Sequence, residues 1–156
     1  MEDFDRRGFI KAAGVLVAAG AAMPVASAFA GVTYNAAVDE KLFGVVNMAK
    51  DQDKLTPLEM SHAPEIKAPD AVKAGEPFMV EVSVGRKLHP TTAAHRIYYI
   101  ELMAGNEPIG MVTFESTLAQ PKASFLVSLE KSVTLVAQSR CNLHGLWESA
   151  LDIKVS

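Results

Sequence analysis

The sequence predicts an all-β fold: an immunoglobulin-like antiparallel β-sandwich of about seven strands, with a short N-terminal helix. Three observations predict it. From residue 71 onward the chain is a series of short runs rich in Val, Ile, Phe and Tyr: PFMVEVSVG, HRIYYIELMAG, IGMVTFES, ASFLVSLE, VTLVAQSRC and SALDIKVS. Turn-forming clusters separate them at Gly75-Glu76-Pro77, Gly105-Asn106-Glu107-Pro108 and Gln120-Pro121-Lys122, where Gly admits unusual backbone angles and Pro ends a strand ladder. The 156 residues, 49% hydrophobic and 21% charged, suit one domain around one core.

Taken in order, residues 1–30 read as an export signal. Arg6-Arg7-Gly8-Phe9-Ile10-Lys11 resembles the R-R-x-F-[LI]-K pattern of the twin-arginine (Tat) pathway, and a weakly apolar Ala/Gly stretch follows from Ala12 to Ala22. That stretch is short for a membrane span, which needs about 20 apolar residues. Ala26-Ser27-Ala28 and Ala28-Phe29-Ala30 offer small-x-small cleavage sites, placing the cut within residues 28–31. The expected location is the periplasm, or otherwise outside the cytoplasm by the Tat route, which carries folded proteins.

Residues 31–53 read as a helical extension, with Leu42, Val45, Val46 and Ala49 on one face, Asp39-Glu40 at the start and Lys50 at the end. Residues 54–68, with Pro57 and Pro64, read as a loop. This loop and the strands together make up the predicted β-sandwich domain, residues 54–156.

A formal net charge of −3, with no basic patch, argues against nucleic acid or an anionic membrane as partner. The single Cys141 excludes an internal disulfide framework. In an oxidising compartment such a cysteine is either buried and inert or bound to a metal.

The histidines decide between these. His62 lies in SHAPEI, His89 in KLHPTT, His95 at the start of HRIYYIEL, and His144 in CNLHG, three residues after Cys141. All five residues fall in loops or at strand ends, and loops at one end of a sandwich converge. Four imidazoles and a thiolate overfill a four-coordinate structural zinc site. A copper-binding sandwich of the blue-copper type uses two His, one Cys and a weak axial Met, but no Met follows His144. A square of imidazoles with an axial thiolate leaves one octahedral position open, which suits a redox iron.

These motifs resemble the superoxide reductase family, the neelaredoxin and desulfoferrodoxin iron proteins. CNLHGLWE is similar to the family's C-terminal signature, HPTTAAHRIYYIEL to its H-P-x-T-x-x-H stretch, and SHAPEI to its H-x-P-x-I loop. The likeness runs from about residue 58 to residue 155. Because Cys141 stands alone, the resemblance is to the one-iron type without the four-cysteine iron domain. It implies one mononuclear Fe2+/Fe3+ per chain, with His62, His89, His95 and His144 equatorial and Cys141 axial. His144 would bind through Nδ1 and the other three through Nε2. The implied activity is one-electron reduction of superoxide to hydrogen peroxide. An outside donor, rubredoxin-like or a cytochrome, would restore the iron, and the chain would form a homodimer or homotetramer.

One departure stands out. The family usually has Glu-Lys before the loop histidine, the Glu capping the iron and the Lys attracting superoxide. Here those positions are Met60 and Ser61. Glu59, one residue upstream, is the candidate substitute cap. Lys54, Lys67 and Lys87 are candidate sources of positive charge. With the pair missing, a non-catalytic iron or electron-transfer module on the same fold is the alternative function. Around the sulfur, backbone N–H groups of Asn142 and Leu143 are candidate donors to Cys141, and Trp147 is expected near the thiolate or in the core.

Overall fold

In the computed structural model, which describes residues 38–156, alternation builds two facing sheets. The larger uses β1 (Val46–Met48), β3 (Ala71–Val72), β5 (Ile97–Ala104), β6 (Glu107–Thr113), β8 (Val133–Cys141) and β9 (Gly145–Val155). Its order is β1-β9-β8-β5-β6, with β3 also on β9. The smaller runs β2 (Pro64–Lys67), β4 (Phe78–Val84) and β7 (Lys122–Val127) in the order β2-β4-β7. The principal pairings are antiparallel as predicted, whereas the short β1 and β3 run parallel to β9.

Period-two side chains explain the interior. In β4, Phe78, Val80, Val82 and Val84 point inward; in β8, Leu135, Ala137, Ser139 and Cys141 do. They meet Ile97, Ile100, Leu102, Val127 and Ile153 in one core. Each fully buried Val or Leu of this kind contributes about 1.5–3 kcal/mol.

Each of the six quoted runs contains or overlaps a strand, but the first third of the described chain differs from expectation. In the described part of the expected helical extension, helix is limited to one turn, α1 (Glu40–Phe43), capped by the Asp39 side chain on the Lys41 N–H and ending at Gly44. Val46 is on a strand, because β1 gains hydrogen bonds along β9. The expected loop at 54–68 holds a second helix, α2 (Pro57–His62), and β2. Pro57 begins α2 rather than breaking it, since the first helical position has no N–H partner to lose. Thr56 and Glu59 form a reciprocal capping box. The expected export signal falls on residues outside those described, and among those described no helix is long and apolar enough to cross a membrane.

The topology gathers one end of each sheet. Pro64, at the start of β2, pairs with Val84, at the end of β4, so His62 and His89 leave the smaller sheet side by side. Ile97, at the start of β5, pairs with Cys141, at the end of β8, which brings His95 to the β8–β9 hairpin.

Candidate metal centre

His62 ends α2, and its ring is oriented by that helix: Nδ1 lies 2.8 Å from the Leu58 carbonyl, one turn back. The β4–β5 loop reaches the same helix end through Lys87 N–H donating to Met60 O at 3.0 Å. Gly85 permits the approach. Its φ is +80°, and a Cβ there would sit 2.7 Å from Ser61 O and 2.8 Å from Met60 O. That loop delivers His89, whose Nδ1 lies 2.7 Å from its neighbour's carbonyl, Pro90 O.

Across the site, Asn142 joins the two remaining histidine-bearing segments. Its Oδ1 accepts the Arg96 N–H at 2.8 Å, its Nδ2 donates to Ala94 O at 2.8 Å, and its own N–H donates to Arg96 O at 3.1 Å. His95 is therefore locked against the loop that carries His144. Trp147 steadies the same loop, its Nε1–H donating to His144 O at 2.9 Å while its ring lies 5.4 Å from that of His62. Beyond the motif that contains them, nothing in the sequence marks Asn142 or Trp147 for these tasks.

The four imidazoles form a closed cycle. Ring centroids are 4.6 Å apart for His62–His89, 4.4 Å for His89–His95, 4.8 Å for His95–His144 and 4.5 Å for His144–His62. Adjacent planes meet at 84°, 78°, 66° and 77° in that order, like blades around a hub. Donor atoms of His62, His95, Cys141 and His144 all lie within 4.8 Å of one another. His89 joins through its Nε2, 3.1 Å from His62 Nε2. The fully buried Cys141 lies on the interior side, with Sγ 3.5 Å from His144 Nδ1.

The placement of the ring protons leaves this cluster suited to a cation. A carbonyl only accepts, so Nδ1 of His62 and Nδ1 of His89 each carry the ring's one proton. Both Nε2 atoms are then bare lone pairs facing each other at 3.1 Å. A second proton is disfavoured. Burial, against the pull of the Leu58 carbonyl, lowers His62 to about 4. Burial and the neighbouring His62 lower His89 to about 3. Burial lowers His95 and His144 as well. Two donors about 2.1 Å from a shared ion and at right angles to each other lie about 3.0 Å apart, against roughly 3.4 Å at a tetrahedral angle. The 3.1 Å separations of His62–His89 and of His95 Nε2–His144 Nδ1 fit the right angle.

Burial raises the Cys141 thiol, while the N–H groups of Leu143 and His144 and the Arg140 charge oppose that rise. A bound cation would reverse the balance and hold a thiolate. The N–H donors thus fall one residue later than expected, because the Asn142 N–H is spent on Arg96 O.

Glu59 does not cap this cluster. Its carboxylate accepts the Thr56 N–H at 2.8 Å and the Lys50 N–H at 3.1 Å, closing the start of α2 instead. Ser61 turns its hydroxyl to helix carbonyls, 3.1 Å from Pro57 O and 3.2 Å from Leu58 O, and lies 3.0 Å from His62 Nδ1. It supports the outer side of the His62 ring and offers no charge. Of the three lysines, Lys54 is exposed and Lys67 pairs with Glu65 at 3.5 Å. Lys87 is the one whose backbone is bonded to the residue before Ser61.

Comparison with known proteins agrees with this geometry. A superoxide reductase of Pyrococcus abyssi is 41% identical over 92 residues, which cover 53% of this chain and 80% of that one. A neelaredoxin of Megalodesulfovibrio gigas is 32% identical over 108 residues, covering 57% and 83%. The solved structure of a superoxide reductase (neelaredoxin) from Ignicoccus hospitalis superposes with a TM-score of 0.63 at 40% identity, covering 71% of this chain and 95% of that one. The family model for desulfoferrodoxin matches residues 50–150, and with the His/Cys cluster inside that match, the chain belongs to the desulfoferrodoxin family.

Proposed function

We propose that this chain is an exported superoxide reductase in which His62, His89, His95, His144 and Cys141 hold one iron ion. The observation that carries the reading is a ring of four imidazoles in which Nε2 of His62 and Nε2 of His89 lie 3.1 Å apart while Nδ1 of each ring sits on a backbone carbonyl. Bound there, iron would supply the single electron that, with two protons, converts superoxide to hydrogen peroxide.

The protein's own part is positioning. Backbone carbonyls fix the tautomers of His62 and His89, and Asn142 holds His95 against His144. Cys141 occupies the core side of the ring, so the opposite face is left for a small anion. His95 and His144 are half-buried and form the rim of that face. With Met60 exposed and the Ser61 hydroxyl turned to its own helix, protons reach the open face from water. The missing family Lys slows encounter with superoxide without removing the chemistry.

The twin-arginine motif supports delivery to the periplasm with the metal already bound. Re-reduction requires an external one-electron donor, a rubredoxin-like protein or a cytochrome, and the assembly is a homodimer or homotetramer. Met60 and Ser61 at the family's Glu-Lys positions favour one second reading, an electron-transfer module that keeps the metal and does not turn over superoxide. Metal analysis with an optical spectrum of the oxidised protein tests the proposal. One iron per chain and a visible thiolate band that Cys141→Ser abolishes are expected. Copper stoichiometry, or a band that survives in Cys141→Ser, would overturn it.

A further inference from the structure

Residues 39–48 precede the segment matched by the family and grip the turn between β8 and β9 from outside. The Asp39 N–H donates to Leu143 O at 3.0 Å. Gly145, with φ of +76°, carries no side chain where the Leu42 carbonyl sits against it. β1 then runs beside β9, with Val46 opposite Leu146 and Asn47 opposite Trp147. The gripped positions, Leu143 on one side and Gly145 and Leu146 on the other, bracket His144.

Asn47 ties this grip together. Its side chain is buried, the residue being 9% exposed, and Nδ2 donates to Leu42 O at 2.8 Å and to Leu146 O at 2.9 Å. Both partners are carbonyls, so the nitrogen end of the amide faces them, and its two N–H groups serve one each. One neutral side chain thus joins α1 to the start of β9. Removing it leaves two carbonyls short of a donor, and the segment is then held mainly by the Asp39 N–H and by a strand of three residues. The position matters because His144 and His95 are half-buried, whereas His62, His89 and Cys141 are buried. Water reaches those two rings first, and His95 is already fixed through Asn142.

We infer that Asn47 is a positioning residue for His144: it locks residues 39–48 as a clasp across the β8–β9 turn and so slows loss of the metal. The inference rests on the reading of His144 as a metal ligand. Release of an ion from such a centre begins when one imidazole swings away and water takes its place, which here requires the turn to open locally. The clasp opposes that opening. Residues that orient metal ligands change metal affinity by about 10- to 100-fold when replaced. Asn47 acts through the backbone and not on the ring itself, which puts its effect at the low end, about 10-fold.

Asn47 is also the residue to test, because replacing it removes hydrogen bonds and no charge, whereas Asp39 acts on His144 through its charge as well. In the reduced, iron-loaded full chain, release of ferrous iron to an excess of a chromogenic chelator is timed under folding conditions. Asn47→Ala should release iron about 10-fold faster than wild type. The control is Ile153→Val, which trims the buried core at the far end of the same strand, where Ile153 pairs with Val133. It should lower the melting temperature and leave the release rate as in wild type. If Asn47→Ala fails to fold, Asn47→Ser, which keeps one short donor, decides in its place and should release iron faster than Ile153→Val. Release from the deciding Asn47 variant no faster than from Ile153→Val would overturn the inference, since general loss of stability would then account for it. A wild-type chain that binds no iron would overturn the metal assignment itself, a distinct result.

Discussion

Nε2 of His62 and Nε2 of His89 face each other at 3.1 Å, with each ring's proton committed to a backbone carbonyl on its other side. Left without a cation, the pair is two buried lone pairs in repulsion. A metal ion bound between them would turn that repulsion into two bonds.

Metal should therefore stabilise the fold markedly. Ligand at 100 times its dissociation constant adds about 2.7 kcal/mol, which for a domain of this size raises the melting temperature by on the order of 10 °C. Thermal melts of the chelated protein with added ferrous iron or zinc should show that rise, growing with metal concentration. His89→Ala should reduce it strongly. A melting temperature insensitive to metal would contradict the site.

Glu59 should behave as a helix cap and not as a metal ligand. The Thr56 backbone N–H first, then the Thr56 hydroxyl and the Lys50 N–H, hold its carboxyl below the ordinary value of 4.5. A lowered folded value means the carboxylate stabilises the protein above pH 4.5, and that contribution disappears as pH falls through the folded value. The stability gap between wild type and Glu59→Gln should thus narrow below about pH 4.5. The visible spectrum of the iron form should be the same in both. Thr56→Ala, at the other half of the box, should cost about 0.5–2 kcal/mol in urea unfolding. A changed iron spectrum in Glu59→Gln would return Glu59 to the metal.

Ser61→Lys should restore the missing attraction. The Leu58 carbonyl still orients His62, so the ring survives loss of the hydroxyl. The second-order rate with superoxide should rise a few-fold, within the wide range of about 10- to 1000-fold that electrostatic focusing spans. The gain should shrink with added salt, since the Debye length is roughly 10 Å at 0.1 M. If the rate at low salt does not move, another cation already serves. Lys87→Ala should then show a salt-sensitive loss that Lys54→Ala and Lys67→Ala lack.

Much of the sandwich and the whole histidine–cysteine set were legible in the sequence, for a physical reason. Period-two burial in runs such as FMVEVSV and VTLVAQSRC writes itself into composition, and nitrogen and sulfur donors at strand ends have few other uses in that pattern. What misled was local competition. Val45 and Val46 fit a helical stripe, but Gly44 ends the helix and pairing with β9 claims Val46. Pro57 fits a loop, but Thr56-Pro57-Leu58-Glu59 carries a helix start, a cap and a box within four residues. Reading that box would also have shown that the Glu59 carboxylate was already engaged. The Asp39–Leu143 contact spans the whole domain, and no local pattern encodes it.

Reduction of superoxide at this centre is decided by pulse radiolysis of the reduced, iron-loaded protein. Second-order oxidation of the iron by superoxide is expected, with one hydrogen peroxide formed per iron oxidised and no oxygen released. Iron left reduced in the presence of superoxide would contradict it, as would oxygen and peroxide appearing together in equal amounts.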